Sequence, residues 1–263
     1  MNCATTRFEP RGTGAPSMLF PSLKPILAGN AAIDLVWLAL GSAPMAEFAA
    51  HARPAAIVLD LQHGLWERGT VEAAIASTGQ RVPVIARCAD NTHAAIAQAL
   101  DAGAASVLVP LIETVDDARR ALDASRYPPR GSRSAGGVRP LLGGVAAMLE
   151  ADTQVSVGLM IETVAGVENA QAIAALPGID YLFIGTGDLS LSRGSSDPDV
   201  IGHDCAQVLA AARAHGLPCG IYTGSAEAAR QAHGQGYRMA VAASDIDLLK
   251  QGLQSALAAA APA

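Results

Sequence analysis

Short, uninterrupted apolar runs alternate along this chain with longer stretches whose apolar positions recur every three or four residues. Val36–Leu40 reads as a strand and Pro44–His51 as a helix, then Ala56–Leu59 and Thr70–Thr78, then Pro83–Ala86 and Thr92–Ala102. The alternation continues with Ser106–Val109 and Val115–Ser125, Val155–Ile161 and Ala165–Ala174, Tyr181–Ile184 and Asp204–His215. It closes with Pro218–Ile221 and Ala226–Gln235, then Met239–Ala242 and a last helix, Ile246–Ala259. Strands that are apolar throughout suit a parallel sheet buried on both faces. Eight such units in one chain predict a closed (β/α)₈ barrel, with an open doubly wound sheet as the other arrangement the pattern allows. One domain is expected over 1–263, with residues 1–29 as an extension before the barrel and 246–263 as a C-terminal helix. The longest irregular piece, Tyr127–Gly144, is rich in Pro, Gly, Arg and Ser, and a loop of that length is usually functional or mobile.

Composition narrows the classes. The 263 residues are 51% hydrophobic and only 16% charged, enough apolar material for a large core. The net charge of −6 comes without a basic block, so no nucleic-acid footprint is present. No stretch reaches the roughly 18 apolar residues of a membrane helix. Met1–Pro16 has charges, Gly and Pro but no apolar run, so no signal peptide is expected there. The four cysteines (Cys3, Cys88, Cys205, Cys219) form no CxxC pair, which suits a reducing cytoplasm. Lysine occurs only at positions 24 and 250.

Barrel chemistry collects where strands end. The second strand exits into Asp60-Leu61-Gln62-His63-Gly64, the third into Arg87, the fifth into Glu162-Thr163, the sixth into Gly185-Thr186-Gly187-Asp188. Glu162 and Asp188 end consecutive strands, which lie roughly 4.8 Å apart in a sheet. Two carboxylates so close repel unless one is protonated or a cation sits between them, and oxygen-only ligands suit Mg²⁺ or Mn²⁺. The alternative is that each acid caps a helix or pairs with an arginine. His63, three residues after Asp60, is placed for a carboxylate–imidazole pair of the kind a general base needs, or is a loop histidine satisfied by backbone. Arg87 is a candidate to steady an enolate oxygen, or a structural partner of Asp60 or Asp101. Trp37 on the first strand is a candidate pocket wall, or simply core. The other histidines are expected at the surface. Gly185-Thr186-Gly187 lacks the third glycine of a dinucleotide fingerprint, and the chain has no HExxH or GxSxG.

Asp60-Leu61-Gln62-His63-Gly64 resembles the D-x-E-H-G signature of the HpcH/HpaI aldolase and citrate lyase family. Five further segments follow in the family's order: Pro83–Arg87, Leu100–Pro110, Arg126–Arg133, Ile161-Glu162-Thr163 and Gly178–Ser190. The six matches run from Asp60 to Ser190, a span of about half the chain. The resemblance implies metal-dependent (class II) aldol chemistry on 4-hydroxy-2-oxo acids through a pyruvate enolate. It implies Mg²⁺, Mn²⁺ or Co²⁺ on Glu162 and Asp188, and Arg87 on the enolate oxygen. His63, held by Asp60, would handle the acceptor's proton. The backbone at Gly187 and Asp188 would hold the substrate carboxylate. It also implies a homo-oligomer, commonly a hexamer, with the C-terminal helix exchanged between subunits. Gln62, Met160 and Thr186 depart from the common Glu, Gln and Pro; all three sit in the expected pocket, so the substrate does not carry over.

The lysine count agrees with a metal mechanism. A Schiff-base aldolase needs a lysine on a barrel strand, and Lys24 and Lys250 lie before the barrel and in the last helix. A citrate-forming or oxaloacetate-using enzyme of the same superfamily shares the donor and metal requirements and stands as the alternative. An acyl-CoA lyase would want a basic cluster that is missing. A non-catalytic metabolite-binding barrel is the alternative of another class, against which the full set Asp60, His63, Arg87, Glu162 and Asp188 speaks.

Overall fold

The computed structural model describes residues 21–78 and 81–260. The first twenty positions of the predicted extension, Cys3 among them, and the last three residues of the C-terminal helix stretch lie outside the described residues. Eight parallel strands close into a barrel in chain order: β1 (Ile33–Leu38), β2 (Ala56–Asp60), β3 (Val84–Arg87), β4 (Ser106–Val109), β5 (Ser156–Ile161), β6 (Tyr181–Ile184), β7 (Cys219–Ile221) and β8 (Met239–Ser244). Closure comes from β1 pairing with β8, Ile33 opposite Met239 and Trp37 opposite Ser244. The predicted barrel stands, and the open sheet does not.

Strand parity sorts the buried residues into two layers. Ile33, Leu35, Trp37, Ala56, Val58, Ile85, Leu108, Met160, Phe183 and Val241 fill the barrel interior. Ile57, Leu59, Val107, Leu159 and Leu182 point outward and pack under the helices. Gly158 has no side chain because the Tyr181 ring occupies the space its Cβ would need. The Tyr181 hydroxyl is satisfied by Ser106 Oγ at 3.0 Å.

The helices are α1 (Lys24–Ala28), α2 (Ala43–His51), α3 (Arg68–Thr78), α4 (His93–Asp101), α5 (Val115–Ala124), α6 (Gly144–Gln154), α7 (Val164–Ala174), α8 (Thr186–Arg193), α9 (Pro198–Ala214), α10 (Ala226–Gln235) and α11 (Asp245–Ala260). Several start where the loop offers a side-chain oxygen to free amides. Ser42, Thr92, Thr163 and Ser225 cap this way, and Thr114 forms a reciprocal capping box with Asp117.

Three helices were not in the sequence pattern. Short α1 belongs to the predicted extension, yet its Leu27 and the preceding Leu23 join the inner core at the N-terminal mouth. Arg238 holds it there, donating to the carbonyls of Ile26 and Leu27, both at 3.2 Å. The 127–144 segment ends in α6, which buries only Met148 and Asp152 and leaves Val145 and Leu149 exposed. Helix α8 starts directly at the exit of β6. No helix among the described residues is long and apolar enough to cross a membrane.

Candidate active site

The inward parity of β2, β3 and β5 carries polar groups to the C-terminal mouth. Asp60 follows Ala56 and Val58 on the inner face, Arg87 follows Ile85, and Glu162 follows Met160 just beyond β5. All three are buried, at 3%, 8% and 1% exposure, so each needs compensation.

Asp60 and Arg87 compensate one another. Arg87 Nε donates to Asp60 Oδ1 at 2.9 Å, and Nη2 donates to Oδ2, a bidentate fork. The Trp37 indole N–H also donates to Oδ2, at 3.1 Å, while the backbone N–H groups of Gln62 and His63 donate to Oδ1, each at 3.1 Å. Burial alone would raise the Asp60 pKa. Arg87's hydrogen bonds and charge, with the N–H groups of His63 and Trp37, outweigh it and hold the carboxyl below its ordinary value. The Arg87 guanidinium lies 5.0 Å from the Trp37 ring centroid, a cation–π contact.

This corrects two sequence expectations. Asp60 does not hold the His63 imidazole: five donors already occupy its two oxygens, and it meets His63 only through the backbone amide. The His63 side chain stands exposed at the rim. Trp37 is not an open pocket wall. It is 3% exposed, sits within the inner core, and supports Asp60 and Arg87 from beneath.

Glu162 is compensated on one side only. Oε1 accepts the Leu111 N–H at 2.8 Å, while Oε2 is buried with no partner. Burial raises the Glu162 pKa to about 7; the Leu111 hydrogen bond and the Arg87 charge oppose this, while Asp188 adds to it through its charge and by accepting a hydrogen bond from the protonated carboxyl. Gly185 makes room: a Cβ there would stand 2.5 Å from Glu162 Oε2 and 2.9 Å from its Cβ. Asp188 is half-buried in the first turn of α8, where no side chain caps the helix, and Gly187 beside it is exposed. The Oε1 atom of Gln62 is likewise buried without a partner. Among the described residues no group of three or more His, Cys, Asp or Glu side chains converges as a closed metal cage.

Two contributors escaped the sequence reading. Leu111 adopts φ +55°, the left-handed region that a branched side chain disfavours, and in that conformation its N–H meets Glu162. Nothing in a leucine announces this. Tyr222, the residue after β7, packs edge-on to Trp37 at 5.2 Å. An aromatic at a strand exit was a readable signal.

Comparisons with known proteins identify the family. The family model described as HpcH/HpaI aldolase/citrate lyase matches residues 34–251. A 4-hydroxy-2-oxovalerate aldolase of Novosphingobium aromaticivorans is 36% identical over 70% of this chain and 73% of its own. A hydroxypyruvate/pyruvate aldolase of Paraburkholderia phytofirmans is 31% identical over 84% of this chain and 90% of its own. The crystal structure of an HpcH/HpaI aldolase/citrate lyase family protein from Burkholderia cenocepacia superposes with a TM-score of 0.81 at 34% identity, over 89% of this chain and 97% of that one. With most of its barrel spanned by the family model and relatives named as aldolases aligned along most of their length, the chain belongs to the HpcH/HpaI aldolase/citrate lyase family.

Proposed function

We propose that this protein is a divalent-metal-dependent carbon–carbon lyase that cleaves or forms 4-hydroxy-2-oxo acids through a pyruvate enolate. The observation that carries the reading is the buried, partnerless Oε2 of Glu162 beside Asp188, within range of the Arg87 charge. The donor set fits a hard cation such as Mg²⁺ or Mn²⁺: two carboxylates, no thiolate or imidazole, and open positions for small ligands. Glu162 and Asp188 would hold it. When bound, the cation draws electron density from the 2-oxo group and so favours the enolate.

The chain's own residues account for the remaining steps. The amides of Gly187 and Asp188, in the uncapped first turn of α8, suit the substrate carboxylate. Asp60 uses two of the five Arg87 N–H groups, leaving three to stabilise the negative charge that gathers on the enolate oxygen. Trp37 and Asp60 are positioning residues for that guanidinium. Gln62 offers its unpaired oxygen to a substrate hydroxyl. In cleavage, His63 takes the proton of the 4-hydroxyl directly or through water. The O–H electron pair then forms the aldehyde carbonyl, the C3–C4 bond breaks, and its electrons become the enolate. Protonation at C3 gives pyruvate. We assign the enzyme to a reducing cytoplasm, supported by the free, buried Cys88, Cys205 and Cys219.

A homo-oligomer is part of the proposal. Helix α11 buries only Asp245 and exposes Ile246, Leu249, Leu253 and Leu257 at helical spacing, an apolar stripe that a second copy of the chain would cover.

The test is deuterium exchange into the pyruvate methyl group in D₂O, followed by NMR. Exchange is expected with Mg²⁺ or Mn²⁺, absent with EDTA and absent in Asp188→Ala, whose loss of Mn²⁺ binding is read separately by calorimetry. His63→Ala is expected to retain exchange while slowing cleavage by about 10²-fold or more, the usual weight of one acid–base group. Exchange that persists in EDTA refutes the metal reading.

A further inference from the structure

The proposed donor site uses the exits of β3, β5 and β6, where Arg87, Glu162 and the first turn of α8 stand. An acceptor aldehyde has to meet the enolate from the remaining exits. At β1 the Trp37 indole is sealed in the core, and beyond β2 stand Gln62 and His63. At β7 the inward side chain is Tyr222.

Strand parity puts it there. Cys219 and Ile221 of β7 pack outward under the helices. Gly220 between them faces inward, where a Cβ would stand 2.3 Å from the Phe183 ring. Tyr222, two residues on, faces inward again and packs on the inner core. Its ring meets Trp37 edge-on at 5.2 Å, and the Arg87 guanidinium lies 5.0 Å from the same indole. The ring is only half-buried, so it reaches the rim. Burial raises the pKa of the phenol, the Asp247 and Asp60 charges add to this, and the Arg87 charge opposes it. The hydroxyl therefore keeps its proton.

That proton is already committed. The Tyr222 hydroxyl hydrogen-bonds Ser244, the last residue of β8. Ser244 has one hydroxyl proton and donates it to Asp247 Oδ2 at 2.7 Å, while its oxygen accepts the Asp247 N–H at 3.1 Å. Tyr222 is thus the donor to Ser244. To the mouth it presents an oxygen lone pair and no free O–H. Such a group accepts from a hydroxyl. A methyl group placed there leaves it desolvated and unpaired, which costs free energy.

We propose that Tyr222 is a specificity-determining residue that selects acceptor aldehydes carrying a hydroxyl on the carbon next to the carbonyl. The inference rests on the lyase reading above and goes beyond it in naming the acceptor class. Arg87 and Tyr222 lie against one indole, which keeps the selected hydroxyl near the carbon that meets the enolate.

The experiment compares glycolaldehyde with acetaldehyde, which differ by that one hydroxyl, as acceptors for pyruvate in the presence of Mn²⁺. The kcat/KM for each is measured in the native protein and in Tyr222→Phe. The native protein is expected to prefer glycolaldehyde. Tyr222→Phe should lower that preference about tenfold, the weight of roughly one hydrogen bond. Hydration of each aldehyde is the same for both proteins and cancels in the comparison. A tyrosine that only braces β8 and α11 would lose rate equally with both acceptors. An unchanged preference in Tyr222→Phe therefore overturns the inference and leaves the lyase reading intact. So does a native protein that exchanges the pyruvate methyl protons but does not turn over glycolaldehyde. Absence of that exchange in the native protein with Mn²⁺ overturns the lyase reading, and this inference falls with it.

Discussion

Replacing Glu162 by Gln keeps the shape of the side chain and removes its charge, so it separates what the carboxylate costs from what it does. In the native barrel the Glu162 pKa stands at about 7 instead of 4.5, chiefly through burial. The folded state therefore holds its proton to higher pH than the unfolded chain does. Stability is lost as pH rises between about 4.5 and 7, then levels off. At about 1.4 kcal/mol per unit, the gap corresponds to about 3 kcal/mol. Glu162→Gln cannot ionise. In EDTA it should match the native protein near pH 4.5 and exceed it at pH 8 by an amount approaching that figure. Its amide can also face Asp188 as a donor, which works in the same direction. The assay is urea unfolding followed by tryptophan fluorescence at the two pH values. A saturating divalent cation should reverse the ranking. At a hundredfold its Kd the ion adds about 2.7 kcal/mol to the native protein and nothing to the variant. If the two proteins show the same decline in stability between pH 4.5 and 8, or the same gain from Mn²⁺, then Glu162 is not the buried metal-holding carboxylate proposed.

Gly185→Ala should push a methyl group against Glu162 Oε2 and displace the carboxylate. Calorimetry should show Mn²⁺ binding weakened about tenfold or more, an ordinary penalty for misplacing one ligand, in a barrel whose circular dichroism is unchanged. Leu253→Asp places a charge in the middle of the exposed α11 stripe. Light scattering should show a smaller assembly than that of the native chain; an identical mass would remove α11 from the interface.

Much of the barrel and part of the site were legible in the sequence because both follow from a period of two. An apolar run that ends in Asp60, Arg87 or Glu162 places a costly group where a strand leaves the core, and only a functional or paired group persists there. Parity put those residues on the inner face with Val58, Ile85 and Met160. The scarcity of lysine, likewise a property of composition alone, is what favours the proposed metal mechanism over an imine.

The partners of those groups were another matter. Proximity in sequence suggested that Asp60 serves His63, yet Asp60 bonds Arg87 across the β2–β3 register and Trp37 on β1. Side chains three residues apart in a loop compete with side chains on adjacent strands, and a buried guanidinium outbids an exposed imidazole for a carboxylate. Helix α6 went unread because its outward face carries Val145 and Leu149, so the apolar pattern does not mark which side packs. The orphaned oxygen of Glu162 requires knowing which atoms were left without partners. A sequence sets the inventory of donors and acceptors and the faces on which they fall. Closure of the barrel decides which of them meet, because register and strand order set the few ångströms within which a hydrogen bond either forms or does not.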